Sequence, residues 1–243
     1  MPDVRIVHIF HNCFVLKTSE DVLVFDVPAE KKQFKSHMQA LEKEITGQNI
    51  TIFISHSHSD HFDINLRKTC SSAASLKIIA SDDILDMYPD FEGEDVLSVE
   101  PDAEYHEGQM SIKTLISNDL GVAFIITLKN GLKIYFGGDL AQWDWEEAPE
   151  AQRNFAAKFF KDAVSKIAAE GIDIGFSNVD RRLSSLAGAP YFAQHVKPNL
   201  FIPMHAFGRT AWLEDIDSRL GIAADKCFIY RKTGDFVIYH QGF

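Results

Sequence analysis

The sequence is poor in cysteine: Cys13, Cys70 and Cys227 are the three present, and none stands near another. That spacing argues against a disulfide framework and against a cysteine zinc site, and it suits a reducing, cytoplasmic setting. Long apolar runs are missing as well. None approaches the roughly 20 apolar residues that a membrane-spanning helix needs. The first ten residues alternate as a strand and carry Asp3, Arg5 and His8, which is not the pattern of a secretory leader. Positive charge is in deficit, with 24 Lys and Arg against 35 Asp and Glu, a net −11. A field of that sign opposes non-specific binding to nucleic acid and to anionic membranes. Repeats, low-complexity tracts and Pro/Gly/Ser-rich linkers are also lacking, so residues 1–243 read as a single domain with room for a substantial core. Histidine is the residue in surplus, ten in all.

Short apolar segments at Arg5–Phe10, Cys13–Lys17, Val22–Phe25, Ile50–Ile54, Lys77–Ala80 and Val96–Val99 read as strands. A helix is expected from about Glu30 to Thr46, with Gly47 closing it. A second strand-rich group covers Met110–Ile116, Val122–Leu128 and Leu132–Phe136, and Asn130-Gly131 marks a hairpin turn between the last two. Pro149 to Ala169 reads as a long helix burying Phe155, Phe159, Phe160, Ala163, Val164 and Ile167 on one face. Ile172–Phe176, Leu200–Ile202, Cys227–Tyr230 and Phe236–Tyr239 are expected to complete the second strand set, with a helix near Ala211–Leu220. Two alternating blocks of strands and helices predict two facing sheets with helices outside, an α/β architecture.

Chemistry concentrates in His56-Ser57-His58-Ser59-Asp60-His61, directly after the apolar run Ile50–Ile54. Residues two apart on an extended segment point to the same side, so His56 and His58 can converge on one cation. If the chain then turns into a helix, Asp60 and His61 are re-aimed to a neighbouring position. Four ligands in six residues, split into two pairs, fit two adjacent metals better than one. Imidazole and carboxylate suit Zn²⁺, and also Mn or Fe.

The His-x-His-x-Asp-His run resembles the signature of the metallo-β-lactamase superfamily. Further motifs follow in order. Asp26, in Val24-Phe25-Asp26, resembles the aspartate that supports the site from below. Asp139, in Phe136-Gly137-Gly138-Asp139, resembles the aspartate that bridges two metals, and His205, in Pro203-Met204-His205, resembles the last histidine ligand. The resemblance covers nearly the whole chain and implies a four-layer αββα sandwich with the site along the top edge of the sheets.

One histidine of that pattern is absent. His106 is the only histidine between residues 62 and 139, and it lies outside the expected context. Ser117-Asn118-Asp119-Leu120-Gly121-Val122 resembles a Ser-x-Asp-x-Gly-Val pattern in one branch of the superfamily, which assigns Asp119 as the substitute ligand. The alternative is that Asp119 caps the turn before Gly121. Two histidines plus two carboxylates would be a harder set, more welcoming to Mn or Fe.

The same branch places Trp143, Trp145, Asp180 and Arg182 along the cleft. Asp180 and Arg182 either orient an anionic substrate or form a structural pair holding a loop. Trp143 and Trp145 either wall the pocket or join the core. His11, at the turn Phe10-His11-Asn12, either hydrogen-bonds substrate or leaving group, or shapes the turn.

The resemblance implies a dinuclear hydrolase in which a hydroxide shared by the metals attacks an ester, lactone or phosphoester of a small, anionic metabolite, with Asp60 orienting that hydroxide. It implies no nucleic-acid or membrane partner and leaves a homo-oligomer open. Two rivals stand beside it. A di-iron redox protein acting on O₂ or NO is disfavoured because redox members commonly carry Glu where His58 stands. A non-catalytic metal-bound interaction module is disfavoured by the intact ligand set.

Overall fold

Runs rich in Val, Ile, Leu and Phe form the strands, because burying each such side chain contributes about 1.5–3 kcal/mol and the pleat holds β-branched residues well. The computed structural model describes residues 3–29 and 35–241. They divide into two compact units, the described parts of Met1–Glu100 with Tyr230–Phe243, and Pro101–Ile229.

The first unit begins with an antiparallel meander, β1 (Asp3–Phe10), β2 (Cys13–Lys17) and β3 (Val22–Phe25). Helix α1 (Lys35–Ile45) leads to β4 (Asn49–Ile54), which lies parallel to β3. A loop and the short α2 (Leu66–Thr69) lead to β5 (Ser75–Ser81), and α3 (Asp82–Met87) leads to β6 (Val96–Val99), each parallel to the strand before. The core holds Val7, Ile9, Val24, Ile52, Ile54, Ile78 and Phe91, all at most 2% exposed.

The second unit repeats that plan. Strands β7 (Glu104–Glu107), β8 (Met110–Ile116), β9 (Val122–Thr127) and β10 (Lys133–Phe136) form an antiparallel meander. Helix α4 (Glu150–Ala168) leads to β11 (Ile174–Asn178) and α5 (Ala189–Val196) to β12 (Leu200–Met204), both parallel additions. Pro203, which cannot donate to a ladder, sits in β12 at the sheet edge, where that costs least. After α6 (Ile216–Leu220) the chain returns to the first sheet as β13 (Phe236–His240), antiparallel to β1. Both sheets are mixed, with orders β13-β1-β2-β3-β4-β5-β6 and β12-β11-β10-β9-β8-β7. The α/β class expected from the sequence is what forms. Among the described residues no helix is long and apolar enough to cross a membrane.

Several expectations need correction. Phe236–His240 pairs with β1 and not with the second strand set, because a register bridging more than 220 residues leaves no local trace. Cys227–Tyr230 forms no strand; Cys227 makes one isolated bridge to Phe201. Phe155 is 65% exposed, and the buried face of α4 is Ala156, Phe160, Ala163, Val164 and Ile167. A spacing of five from Phe155 to Phe160 turns the former away from that face. The helix near Ala211–Leu220 is a 3₁₀ turn, Ala211–Asp215, followed by α6. Residues 30–34 of the expected first helix lie outside the described residues. The polar β7 had no apolar alternation to reveal it, and α5 was missed although Ala189, Phe192, Ala193 and Val196 recur at helical spacing, because it is only eight residues long.

Candidate metal centre

The C-terminal ends of parallel strands are where open α/β sheets place their ligands, since loops there diverge to opposite faces. In the first unit Asp26 comes directly after β3, and Ser55 and the histidine run directly after β4. The run does not continue into a helix. His61 N and Phe62 N both donate to His58 O, at 2.9 and 2.8 Å, so a tight turn re-aims Asp60 and His61, and α2 starts later. Asp83, from the start of α3, accepts the Ser57 N–H at 2.9 Å and fixes the backbone between His56 and His58.

One carboxylate organises this half. Asp26 is fully buried and its backbone is left-handed, φ 38°. Ser55 N donates to its Oδ1 at 2.8 Å, the Ser55 hydroxyl to its Oδ2 at 2.8 Å, and His61 Nδ1 meets the same Oδ2 at 2.7 Å. Burial pushes the Asp26 carboxyl up, opposed by His61 and by the Ser55 bonds. With Nδ1 engaged there, His61 turns Nε2 toward Asp60, whose Oδ2 is 4.0 Å away. His56 Nε2 and His58 Nδ1 converge to 3.0 Å. His56 and His61 are buried, whereas His58 is exposed.

His11 joins the group. Its backbone is left-handed, φ 53°, at the β1–β2 turn, its ring is fully buried, and Nε2 lies 3.5 Å from Asp60 Oδ2. One ligand atom each from His11, Asp60 and His61 fall within 4.8 Å of one another. Burial raises the Asp60 carboxyl, but the bond from His11 and the charges of His61 and His11 outweigh it and hold the group well below the usual range. Strained backbone at His11 and Asp26 persists because the surrounding structure over-determines it, a common mark of functional positions.

In the second unit Asp139 follows β10 by three residues, Asp180 follows β11 by two, and His205 comes directly after β12. His205 is also left-handed, φ 66°, and its Nε2 lies 3.9 Å from Asp139 Oδ2. The Asp139 loop is held by its backbone: Asn178 Nδ2 donates to Gly138 O at 2.8 Å and Trp143 Nε1 to Asp139 O at 2.8 Å. Asp119 is exposed on the 117–121 turn. That turn is capped by Ser117, whose Oγ accepts the Asp119 N–H at 3.1 Å. Asn118 ties it to the Asp139 loop through Nδ2 to Ala141 O, 2.8 Å, and Ala141 N to Oδ1, 3.2 Å.

Asp180 and Arg182 form the bidentate pair the sequence allowed, with Nε–Oδ1 at 2.9 Å and Nη2–Oδ2 at 2.5 Å. Asp180 Oδ2 also lies 3.4 Å from His205 Nδ1, so this carboxylate faces a candidate ligand histidine and is itself 4% exposed. Burial raises its carboxyl, and the bonds from His205 and Arg182 more than reverse that. Arg182 is 56% exposed in its side chain and lies over Trp145 at 4.8 Å. Trp143 and Trp145 stack at 6.2 Å, half-buried against Ala141, Leu183 and Ala187, with Trp143 5.0 Å from His205. Sequence reasoning missed Ser55, Asn118 and Asn178. Their one signal is a polar side chain closing or following an apolar strand.

No family model matches the chain, and no curated protein matches it in sequence. Solved structures do. Igni18, a metallo hydrolase from the hyperthermophilic archaeon Ignicoccus hospitalis, is similar with TM-score 0.68 at 14% identity, covering 99% of this chain and 100% of that one. The metallo-β-lactamase fold protein YhfI from Bacillus subtilis gives 0.66 at 13% identity, covering 98% and 100%. CmlA, a diiron β-hydroxylase from Streptomyces venezuelae, gives 0.55 at 12% identity, covering 84% of this chain and 44% of that one. The protein therefore has the metallo-β-lactamase fold.

Proposed function

We propose that the protein is a dinuclear metallo-hydrolase of small-molecule esters, lactones or phosphoesters. Its ligands are His56, His58, Asp60 and His61 from the first unit with Asp119, Asp139 and His205 from the second. The pooling of the two sets rests on the order of the motifs and the resemblance they carry. The observation that supports it best lies in the first unit. His61 is fixed through Nδ1 by a buried carboxylate, and His56 and His58 bring ring nitrogens to 3.0 Å. Nitrogens so placed, beside a carboxylate held low in pKa, fit a divalent cation.

Two divalent ions, when bound, lower the pKa of water toward neutrality and stabilise negative charge developing on the substrate. Zn²⁺ suits the histidine-rich set, and Asp119 as a ligand shifts preference toward Mn or Fe. The chain's own groups do the rest. Asp60 accepts a hydrogen bond from the attacking water and so aims it. His11, whose Nε2 lies 3.5 Å from Asp60 Oδ2, steadies that carboxylate or donates a hydrogen bond to the substrate's leaving group. Asp26 and Asp180 hold His61 and His205 in orientation. Arg182, largely exposed and backed by Trp145, offers its remaining N–H groups to an anionic substituent of the substrate.

The likeness to a diiron β-hydroxylase supports a second, redox reading. Metal analysis of the purified chain, then a panel of esters, lactones and phosphodiesters with Zn, Mn and Fe added separately, separates the two. Hydrolysis that His58→Ala abolishes is the expected result. Visible absorbance of an oxidised di-iron centre with turnover of O₂, and no hydrolysis, would replace hydrolysis by redox chemistry. Metal-replete protein inert toward all of them would favour an interaction module.

A further inference from the structure

We infer that Ser55 is a positioning residue: its hydroxyl relays the Asp26 carboxylate to His56, so that one buried anion sets the tautomer of two ligand histidines at once. The inference rests on the metal reading above for its purpose, but its geometry belongs to the first unit alone. Ser55 is fully buried, at the end of β4. Its hydroxyl has one hydrogen and two polar neighbours, Asp26 Oδ2 at 2.8 Å and His56 Nδ1 at 2.9 Å. A carboxylate only accepts, so the hydrogen goes to Asp26. The Ser55 oxygen is then an acceptor toward the ring, and His56 Nδ1 must carry the proton. A neutral imidazole has one N–H, which leaves His56 Nε2 as the lone-pair nitrogen, and that is the atom facing His58 Nδ1 at 3.0 Å.

His61 reaches the same state without a relay, since its Nδ1 meets Asp26 Oδ2 directly at 2.7 Å. Both hydrogen bonds end on Oδ2, while Oδ1 is held by Ser55 N at 2.8 Å. Ser55 thus contributes twice, fixing the carboxylate through its backbone and extending it through its side chain. The serine is needed because Asp26 meets one imidazole directly, at His61 Nδ1; the second ring reaches the same charge through an intervening group that both donates and accepts. Ala or Val at residue 55 removes the Ser55 oxygen that accepts from His56 Nδ1 and frees the ring to carry its proton on Nε2, the nitrogen a cation needs bare.

The test uses the full-length chain labelled with ¹⁵N-histidine and stripped of metal by chelation. Two-bond ¹H–¹⁵N correlation spectra should show both His56 and His61 protonated at Nδ1. Ser55→Ala should move His56 toward the Nε2–H form, leave His61 in place, and weaken Zn²⁺ binding by titration about 10- to 100-fold. Ser55→Thr, which keeps the hydroxyl, should restore the His56 tautomer. His56 protonated at Nε2 in the unaltered chain, or a His56 tautomer indifferent to Ser55→Ala, overturns the relay. If the unaltered chain takes up no Zn²⁺ while the tautomers are as stated, the metal reading fails and the relay stands. Should Ser55→Ala not fold, the unaltered spectrum and Ser55→Thr still decide the question.

Discussion

The two units share a plan, an antiparallel meander followed by parallel strands with candidate ligand side chains just past their ends, yet they hold those side chains differently. In the first, Asp26 reaches His61 directly and His56 through Ser55, and everything involved is buried. In the second, the supports are separate: Asn178 and Trp143 hold the Asp139 loop by its backbone, while Asp180 faces His205 and shares itself with the exposed Arg182. A shared buried anion couples its dependents, so one substitution propagates. Dispersed supports fail one at a time, and solvent can replace part of what an exposed partner supplies.

That contrast is sharpest at Asp26. Asp26→Asn replaces an acceptor oxygen with a donor facing the Ser55 hydroxyl or His61 Nδ1. It should destabilise the protein by about 2–4 kcal/mol and weaken metal binding by at least about 100-fold. Urea unfolding and competitive metal titration would measure both. In the second unit Asp180→Asn should cost about 10-fold in metal affinity, and Arg182→Ala less than about threefold, because much of that guanidinium is already in water. Equal losses for Asp26→Asn and Asp180→Asn would erase the distinction between the units.

A smaller effect probes the first unit's burial of ionisable groups. Burial lowers the His8 imidazole from 6.5 to about 4, against the opposing bond to Lys232 O, and the ring stacks on Tyr230 at 3.8 Å. Between those pH values the unfolded chain binds a proton that the folded one refuses, so stability falls as pH drops from about 6.5 toward 4, by about 2–3 kcal/mol. His8→Phe should remove that part of the slope. Identical slopes for the two chains, from urea unfolding at pH 7 and pH 4.5, would show that His8 is not buried neutral.

How much of this could be read from the sequence follows the same line. The histidine run was legible because it sets ligand-type side chains directly after an apolar strand, Asp26, Asp139 and His205 because of the motifs they resemble, and the hairpin at Asn130-Gly131 because its turn chemistry is local. Phe236–His240 was misplaced because its partner β1 lies at the other end of the chain. Ser55 was passed over because serine at a strand end reads as a turn former. Its role appears only when Asp26, 29 residues earlier, is brought to its hydroxyl. Asp180 was read as a cleft residue, and its approach to His205 depends on the register of β11 against β12.

Metal stoichiometry tests the central claim most directly. The purified chain, replete with Zn²⁺ or Mn²⁺, should carry two equivalents by elemental analysis, and both His58→Ala in the first unit and Asp139→Asn in the second should lower that number and abolish hydrolysis together. Full metal content with full activity in either variant would contradict it.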